Sequence, residues 1–295
     1  MEPIVSINTI AYQGLDLRTA LREISRLGAG YVELSFTAGY SEGFAEKDFS
    51  PGKARQLSNM LSEAGLLTVA LAAHIDLGTE GAVSAFRRRI DFAMELGAKI
   101  VHTNPSQLTK SDLFYRNMED LAPFAASRGA IIALENPGDG EGSLIGSGKQ
   151  GVSLIQRVGS DSVRLNYDFC NAFSYSKGMI RPEEELRDIL PYTVHFHLKD
   201  MVQQERGWVF SEIGKGVIDY PAIFKFLAGE PEIPPMSIEF PCRFRRTRDF
   251  RPEKNPSPPP LQAIRHVLRG SLEYVRRAFD TRVEPLPPRG SRLDP

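Results

Sequence analysis

Hydrophobic positions along the chain fall into two alternating patterns. Short runs rich in β-branched residues recur at 4–7, 31–34, 67–72, 100–103, 131–135, 163–167, 194–198 and 236–240, as expected of strands buried on both faces. Between most of them apolar residues return every three or four positions, as in LDLRTALREISRLG (15–28) and VSAFRRRIDFAMELG (83–97), which predicts amphipathic helices. The segments RLGAGYVEL, EAGLLTVAL, ELGAKIVHT and SRGAIIALE each set a glycine after a helix and an apolar strand directly behind it. Glycine accepts the left-handed conformation that closes a helix, so the chain turns straight back to the sheet. Strands joined by helices are parallel, and eight of them favour closure into a single-domain (β/α)8 TIM barrel. An open doubly wound sheet is the alternative, but G-x-G-x-x-G is missing after the first run, where INTIAYQG stands.

Two stretches break the repeat. Residues 242–260, CRFRRTRDFRPEKNPSPPP, are Arg-rich and then Pro-rich, and predict a long loop without regular structure. Residues 281–295 combine four prolines with scattered charge, so the barrel domain is set at 1–280 with a disordered tail behind it. The loop and tail are natural places for subunit contacts, and a homo-oligomer is compatible with them.

Composition narrows the partners more than the fold. With 295 residues, 41% of them hydrophobic, the chain can bury a large core. A net charge of -1 and a pI of about 6.6 give no overall positive field, which argues against nucleic acid as a partner. The five arginines among 243–251 are the one marked basic cluster, compatible with an anion clamp, a subunit contact or a solvated loop. No apolar run approaches the roughly 18 residues of a membrane span. Two cysteines do not make a disulfide framework, and MEPIVSINTIAY has no basic region followed by an apolar one. The expectation is a cytoplasmic protein with no membrane contact.

In a barrel of this kind the chemistry sits where strands end, so polar residues closing the apolar runs carry the information. Glu135 closes IIALENP, Asp168 closes VRLNYDFCN, His197 lies near the end of TVHFHLKD, and Glu239 closes MSIEFP. They come from the fifth to eighth strands, neighbours around a barrel. Any one acid here could be a helix cap, but three carboxylates and an imidazole at one rim would repel strongly without a cation between them. That donor set suits Mn2+ first, with Mg2+ or Co2+ as alternatives, and zinc less well. His195 and His197 face the same side of their strand, with His195 one layer deeper as a core or orienting residue.

These residues also give the sequence its resemblance to a known group. LEN at 134–136, Asp168, HLKD at 197–200, IGKGVIDYPAIFKFL at 213–227 and IEF at 238–240 resemble, in order and spacing, the xylose-isomerase-like TIM-barrel superfamily of sugar isomerases and epimerases. The resemblance covers residues from 4 to about 279. It implies a metal held by Glu135, Asp168, His197 and Glu239, with Glu135 and Glu239 also serving as acid and base. It implies that Glu141, six residues after Glu135, touches substrate near the reacting carbons, although a solvated Gly-rich loop is the plainer reading of ENPGDGEGSLIG. Many members carry a histidine where this chain has Asn171, which can hydrogen-bond a sugar hydroxyl but is a poor base or metal ligand. The departure argues against the zinc-cluster chemistry of endonuclease IV, a remote relative.

The other substrate-contact candidates are His74 and His102 at the third and fourth strand ends, Lys199, which points the same way as His197, and Arg206 with Trp208 in the loop that follows. His74 and His102 are equally readable as satisfied polar residues, and Trp208 as core. Asp200 faces the other way and is expected to organise a loop. Together these readings describe a divalent-metal-dependent isomerase or epimerase that abstracts a proton from a ketose or related keto-polyol through an enediolate. The alternative is a dehydratase or lyase that eliminates across a keto-sugar, inosose or keto-glycoside from the same site. A sugar-binding barrel with dead chemistry is disfavoured because both Glu135 and Glu239 are present.

Overall fold

A computed structural model of the chain describes residues 3–37, 41 and 43–280; the expected tail, 281–295, lies outside them. The alternation begins with β1 (Val5–Asn8), α1 (Leu17–Arg26), β2 (Tyr31–Ser35), α2 (Pro51–Ala64), β3 (Ala70–Ala72), α3 (Ala82–Leu96), β4 (Ile100–Thr103) and α4 (Ser111–Arg128). It continues through β5 (Ile131–Glu135), α5 (Gly148–Val158), β6 (Val163–Asp168), α6 (Phe169–Tyr175), α7 (Pro182–Ile189) and β7 (Thr193–Leu198). A hairpin of β8 (Asp200–Gln204) and β9 (Gly207–Ser211) then precedes α8 (Tyr220–Leu227) and β10 (Met236–Ile238). The short strands β11 (Phe244–Arg246) and β12 (Pro252–Lys254) and the helix α9 (Leu261–Phe279) complete the described chain.

Strands β1 to β7 follow one another around a closed parallel barrel, and β10 closes it between β7 and β1. These are the eight strands expected from the apolar runs, shifted by one to three residues at several ends. The helix ends show why the sequence turns where it does. The Ser50 hydroxyl accepts the Lys53 N–H at 3.3 Å to start α2, Pro51 occupies the first turn, and Gly65 closes the helix at φ 67°.

Side chains alternate along each strand between helix-facing and axial positions. Val101, Ile132 and Leu134 join the main core under the helices, while Ile100 and Ala133 form a small separate cluster with Ala70 in the barrel axis. The layers above that plug are polar: Ser6, Asn8, Glu33, His102, Asn166, His195, His197 and Ser237 all have 0% exposure. Barrel interiors are ordinarily filled by branched apolar residues, so these buried polar side chains depart from the usual filling and need partners inside the barrel.

The barrel's first and last described helices are clasped by one carboxylate. Glu23 on α1, 1% exposed, accepts from Arg265 Nη2 on α9 at 2.7 Å and from Arg26 at 2.9 Å. Burial works against its ionised form, but Arg265 and Arg26 prevail and hold its pKa below the ordinary carboxylate value. A lowered carboxylate pKa adds stability above the unfolded-state value, and that stability is lost as pH falls through the folded one. Glu23→Gln is therefore expected to cost about 1–2 kcal/mol near neutral pH, and its deficit against wild type is expected to shrink as the pH falls below the ordinary carboxylate range, which thermal unfolding across a pH series checks.

Beside the barrel lies a sheet that the sequence did not suggest. β8, β9, β11 and β12 pair antiparallel, with Val209 opposite Arg245 and Trp208 opposite Arg246. This corrects two expectations: residues 242–260 carry two short strands, and Arg206 and Trp208 belong to a hairpin. Strands as short as FRR and PEK have no readable periodicity, and the pairing of β11 with β9 is non-local. Gly207 sits where the Arg246 carbonyl comes so close to its backbone that a side chain would collide. Trp208 stacks on Phe250 at 5.1 Å and meets Phe173 edge-on, so it is part of this layer's own small core. Several loop arginines brace the layer internally: Arg243 donates to the Asn255 and Pro256 carbonyls, Arg245 pairs with Glu253, and Arg248 donates to the Glu205 carbonyl. That favours a scaffolding role over an anion clamp for most of the cluster.

Asp200 faces out of the barrel, as the alternation along HLKD implies. Its carboxylate accepts the N–H groups of Met201, Gly214, Gly216 and Ile218 at 2.8–3.2 Å, and it leaves no room for a side chain at Gly216. This explains the GKG spacing of the loop before α8. Asp200→Ala strands several buried N–H donors, each costing about 1–3 kcal/mol. The expected result is a clearly lowered melting temperature together with faster amide exchange at Met201 and over 213–218, read by hydrogen-exchange mass spectrometry.

Candidate active site

The four strand-end residues converge. Glu135, Asp168, His197 and Glu239 present ligand atoms that all lie within 4.8 Å of one another. Strand register brings this about: Asp168 pairs with His197 across β6 and β7, and His197 pairs with Ser237 across β7 and β10, which leaves Glu239 just beyond the last strand. A register shift at Leu165 and Asn166 sets Asn166 opposite His195 and so aligns the next inward pair. His197 Nδ1 lies 3.1 Å from Glu135 Oε1 and 3.9 Å from both Asp168 Oδ2 and Glu239 Oε2.

Lys199 reaches the same point. Its ammonium lies 2.8 Å from Asp168 Oδ2, forms a short ion pair with Glu239 and donates to Asn171 Oδ1 at 3.2 Å. Asn171 in turn donates to Glu135 Oε1 at 3.2 Å, and its backbone N–H donates at 2.8 Å to Asp168 Oδ1, which caps α6. Gly138 is bare of a side chain where Asn171 and Arg246 press against it. His74 Nε2 stands 3.4 Å from Glu135 Oε2.

Electrostatics divide the carboxylates. Burial raises the pKa of each, but the His197 imidazole overrides it at Glu135, which is held down at about 2, and Lys199 overrides it at Glu239, also held low. At Asp168 burial wins against Lys199, aided by Glu239 and Glu135, and its pKa rises to about 6. His197 is pushed well up despite its burial, because Glu33, Glu135 and Glu239 surround it. Lys199 is likewise held protonated against burial by Asp168 and Glu239. Both reacting-carboxylate candidates are thus anions near neutral pH.

This donor set fits a divalent cation. Glu135 Oε2 is buried and accepts no hydrogen bond among the described residues, and three carboxylates with one imidazole make a hard, oxygen-rich site. Above it opens a cavity of ≈ 380 Å³, within the range of small-molecule sites. Its walls include Glu135, Glu239, Lys199, Asn171 and His74, with Phe210 and Arg246 contributed by the side sheet.

Besides Trp208, three sequence candidates do not line this cavity. His102 is 0% exposed and lies in the closed barrel interior, stacked on His197 at 5.1 Å, so it is not placed to touch substrate. Glu141 is exposed in the loop after β5 and Arg206 is exposed at the hairpin turn, and neither lines the cavity. Conversely, Glu33 and Asn166, which meet the two inward histidines, and Asn8, which holds Glu33, were not singled out from sequence. Their signal was an acid and two amides inside apolar strands, where such residues are depleted.

A search of protein-family models matches residues 21–269 to the xylose isomerase-like TIM barrel. No curated protein matches the chain significantly. Solved structures share the fold at low identity. A xylose isomerase-like TIM barrel protein from Mycobacterium smegmatis in complex with magnesium is 18% identical, with a TM-score of 0.71 over 96% of this chain and 98% of its own. An L-ribulose 3-epimerase is 16% identical, with a TM-score of 0.70 over 95% of each chain. The probable 3-DHS dehydratase AsbF from Bacillus anthracis is 13% identical, with a TM-score of 0.67 over 93% of this chain and 98% of its own.

Proposed function

Because the chain belongs to the xylose isomerase-like TIM-barrel family, we propose that it is a divalent-metal-dependent sugar isomerase or epimerase, acting on a ketose or related keto-polyol in the cytoplasm. The observation that carries this reading is the meeting of Glu135, Asp168, His197 and Glu239, of which Glu135 and Glu239 line one cavity while Asp168 and His197 lie buried behind them. Those four residues would hold the ion, with Mn2+ preferred and Mg2+ or Co2+ as alternatives; Mg2+ accompanies the structurally similar mycobacterial protein. A bound cation supplies positive charge against the oxygen that gains electron density when a neighbouring C–H is deprotonated.

The chain's own residues do the rest. Glu135 and Glu239, both held ionised, flank the floor, and either can take the proton from the carbon beside a carbonyl. For isomerisation the carboxylate that took the proton delivers it to the next carbon; for epimerisation the second carboxylate, which starts ionised, first takes a proton from water or a substrate hydroxyl in the cavity and passes it to the opposite face of the carbon. Lys199 offers a fixed positive charge to a substrate oxygen and restrains the carboxylate of Glu239. Asn171 and His74, both on the cavity wall, are placed to hydrogen-bond hydroxyl groups.

A second reading shares the first half of this sequence: if the carbanion expels a hydroxyl or alkoxide from the next carbon, the enzyme is a dehydratase or lyase. The fold likeness to a probable dehydratase supports keeping it. A panel of ketoses, inososes and 3-keto-glycosides assayed with Mn2+ separates the two. Isomeric products support the isomerase; products short of one water or alcohol support the lyase; turnover that persists undiminished with chelator excludes both.

A further inference from the structure

The polar barrel interior beneath the four ligands holds one more carboxylate, Glu33, in the middle of β2 and fully buried. Its Oε1 lies 3.0 Å from His197 Nε2 and its Oε2 lies 3.2 Å away. The opposite edge of the same imidazole, Nδ1, faces Glu135, Asp168 and Glu239. We infer that Glu33 is a positioning residue: it holds the Nε2–H of His197 and thereby aims the Nδ1 lone pair at the cation that the three carboxylates would share. The inference rests on the metal-centre reading of the preceding subsection.

An imidazole that ligates a metal through one nitrogen carries its proton on the other, and the partner of that proton fixes both tautomer and ring orientation. A carboxylate accepts and does not donate, so with a cation taking the Nδ1 side Glu33 holds the ring in its Nε2–H form. Glu33 is itself fixed. Asn8, its register partner across β1 and β2, donates Nδ2 to Glu33 Oε1 at 2.7 Å, while its Oδ1 accepts the Ile10 N–H at 2.8 Å. The Asn8 amide cannot turn over without losing both bonds. On the ring face, His102 lies parallel to His197, with centroids 5.1 Å apart and 5° between planes, which limits tilt. Asn166 adds a contact on the Nδ1 side at 3.2 Å, its Oδ1 being 3.1 Å from His195 Nδ1.

A second ion within Glu33, His102, His195 and His197 is the competing use of the cluster. Those ligand atoms also lie within 4.8 Å of one another, and neither His102 nitrogen nor His195 Nε2 has a hydrogen-bond partner among the described residues. It would require His197 to give both nitrogens at once, one to each ion, and Glu33 to leave Nε2. A single ion supported by Glu33 uses the contacts as they stand.

The test uses the full chain, wild type, Glu33→Gln and Glu33→Ala. Mn2+ titration by calorimetry is expected to show about a 10- to 100-fold weaker Kd in Glu33→Ala, and a smaller loss in Glu33→Gln, whose carbonyl oxygen still accepts the Nε2–H. Nitrogen-15 spectra of histidine in the Mg2+-treated protein should show His197 as the Nε2–H tautomer in wild type and Glu33→Gln. A merely structural role for Glu33 would lower the melting temperature without moving Kd or the tautomer signal. Should Glu33→Ala not fold, Glu33→Gln carries the comparison: wild-type Kd there, with His197 protonated on Nδ1 in wild type, overturns the assignment. Wild-type Kd in both variants overturns it while leaving the metal centre intact. No Mn2+ binding by wild type overturns the metal centre and this inference together. Two ions per wild-type chain, falling to one in Glu33→Ala, overturns it in favour of the second site.

Discussion

Glu239→Gln is expected to lower turnover of any accepted keto-sugar by about 10³-fold or more, because the loss of a positioned acid/base group and the weakening of a metal ligand combine. The substitution keeps the size of the side chain and one oxygen, but an amide neither takes a proton from carbon nor binds a cation as a carboxylate does. Lys199 keeps its ion pair with Asp168, so the ammonium is not stranded and the fold should hold. Steady-state rates with Mn2+, beside thermal melts of the same samples, check this. A wild-type rate in a folded Glu239→Gln protein would remove Glu239 from the chemistry.

Removing divalent ions is the second change with a large expected effect. Chelation should abolish turnover and also lower the melting temperature, since an ion that binds only the folded chain stabilises it by mass action. At 100 times its Kd that contribution is about 2.7 kcal/mol, or roughly 5 °C for a domain of this size. The local charges agree in direction: two buried carboxylates and a partly exposed third meet a single ammonium and an imidazole. Scanning calorimetry with chelator, and then with excess Mn2+, reads the shift. A melting temperature indifferent to both would argue against a bound ion.

The barrel was legible because its signals are local. Eight apolar runs and four glycine-closed helices each follow from period and turn chemistry within a short window. The site was legible for a related reason: Glu135, Asp168, His197 and Glu239 all occupy strand ends, and parallel closure carries strand ends to one rim whatever the details. Depth was harder to read. His102 ends the apolar run KIVHT, which suggested the rim, yet it sits 0% exposed beneath His197. Glu33 was passed over because it stands mid-strand, where only the register of β2 against β1 shows that it meets Asn8 and His197. The side sheet was invisible for a third reason. Its strands are held by pairing between β9 and β11 across a long stretch of sequence, and by the Trp208, Phe250 and Phe173 cluster, not by any pattern of their own.

Ion content by plasma mass spectrometry, on wild type and Asp168→Asn purified without chelator and then exposed to Mn2+, tests the metal centre most directly. Asp168 is the proposed ligand to change, because it is fully buried where the four residues meet and is not one of the two proposed acid/base groups. The expected result is about one divalent ion per wild-type chain and almost none in Asp168→Asn. A wild-type chain that takes up no ion, or an Asp168→Asn chain that holds it as tightly, would contradict the account.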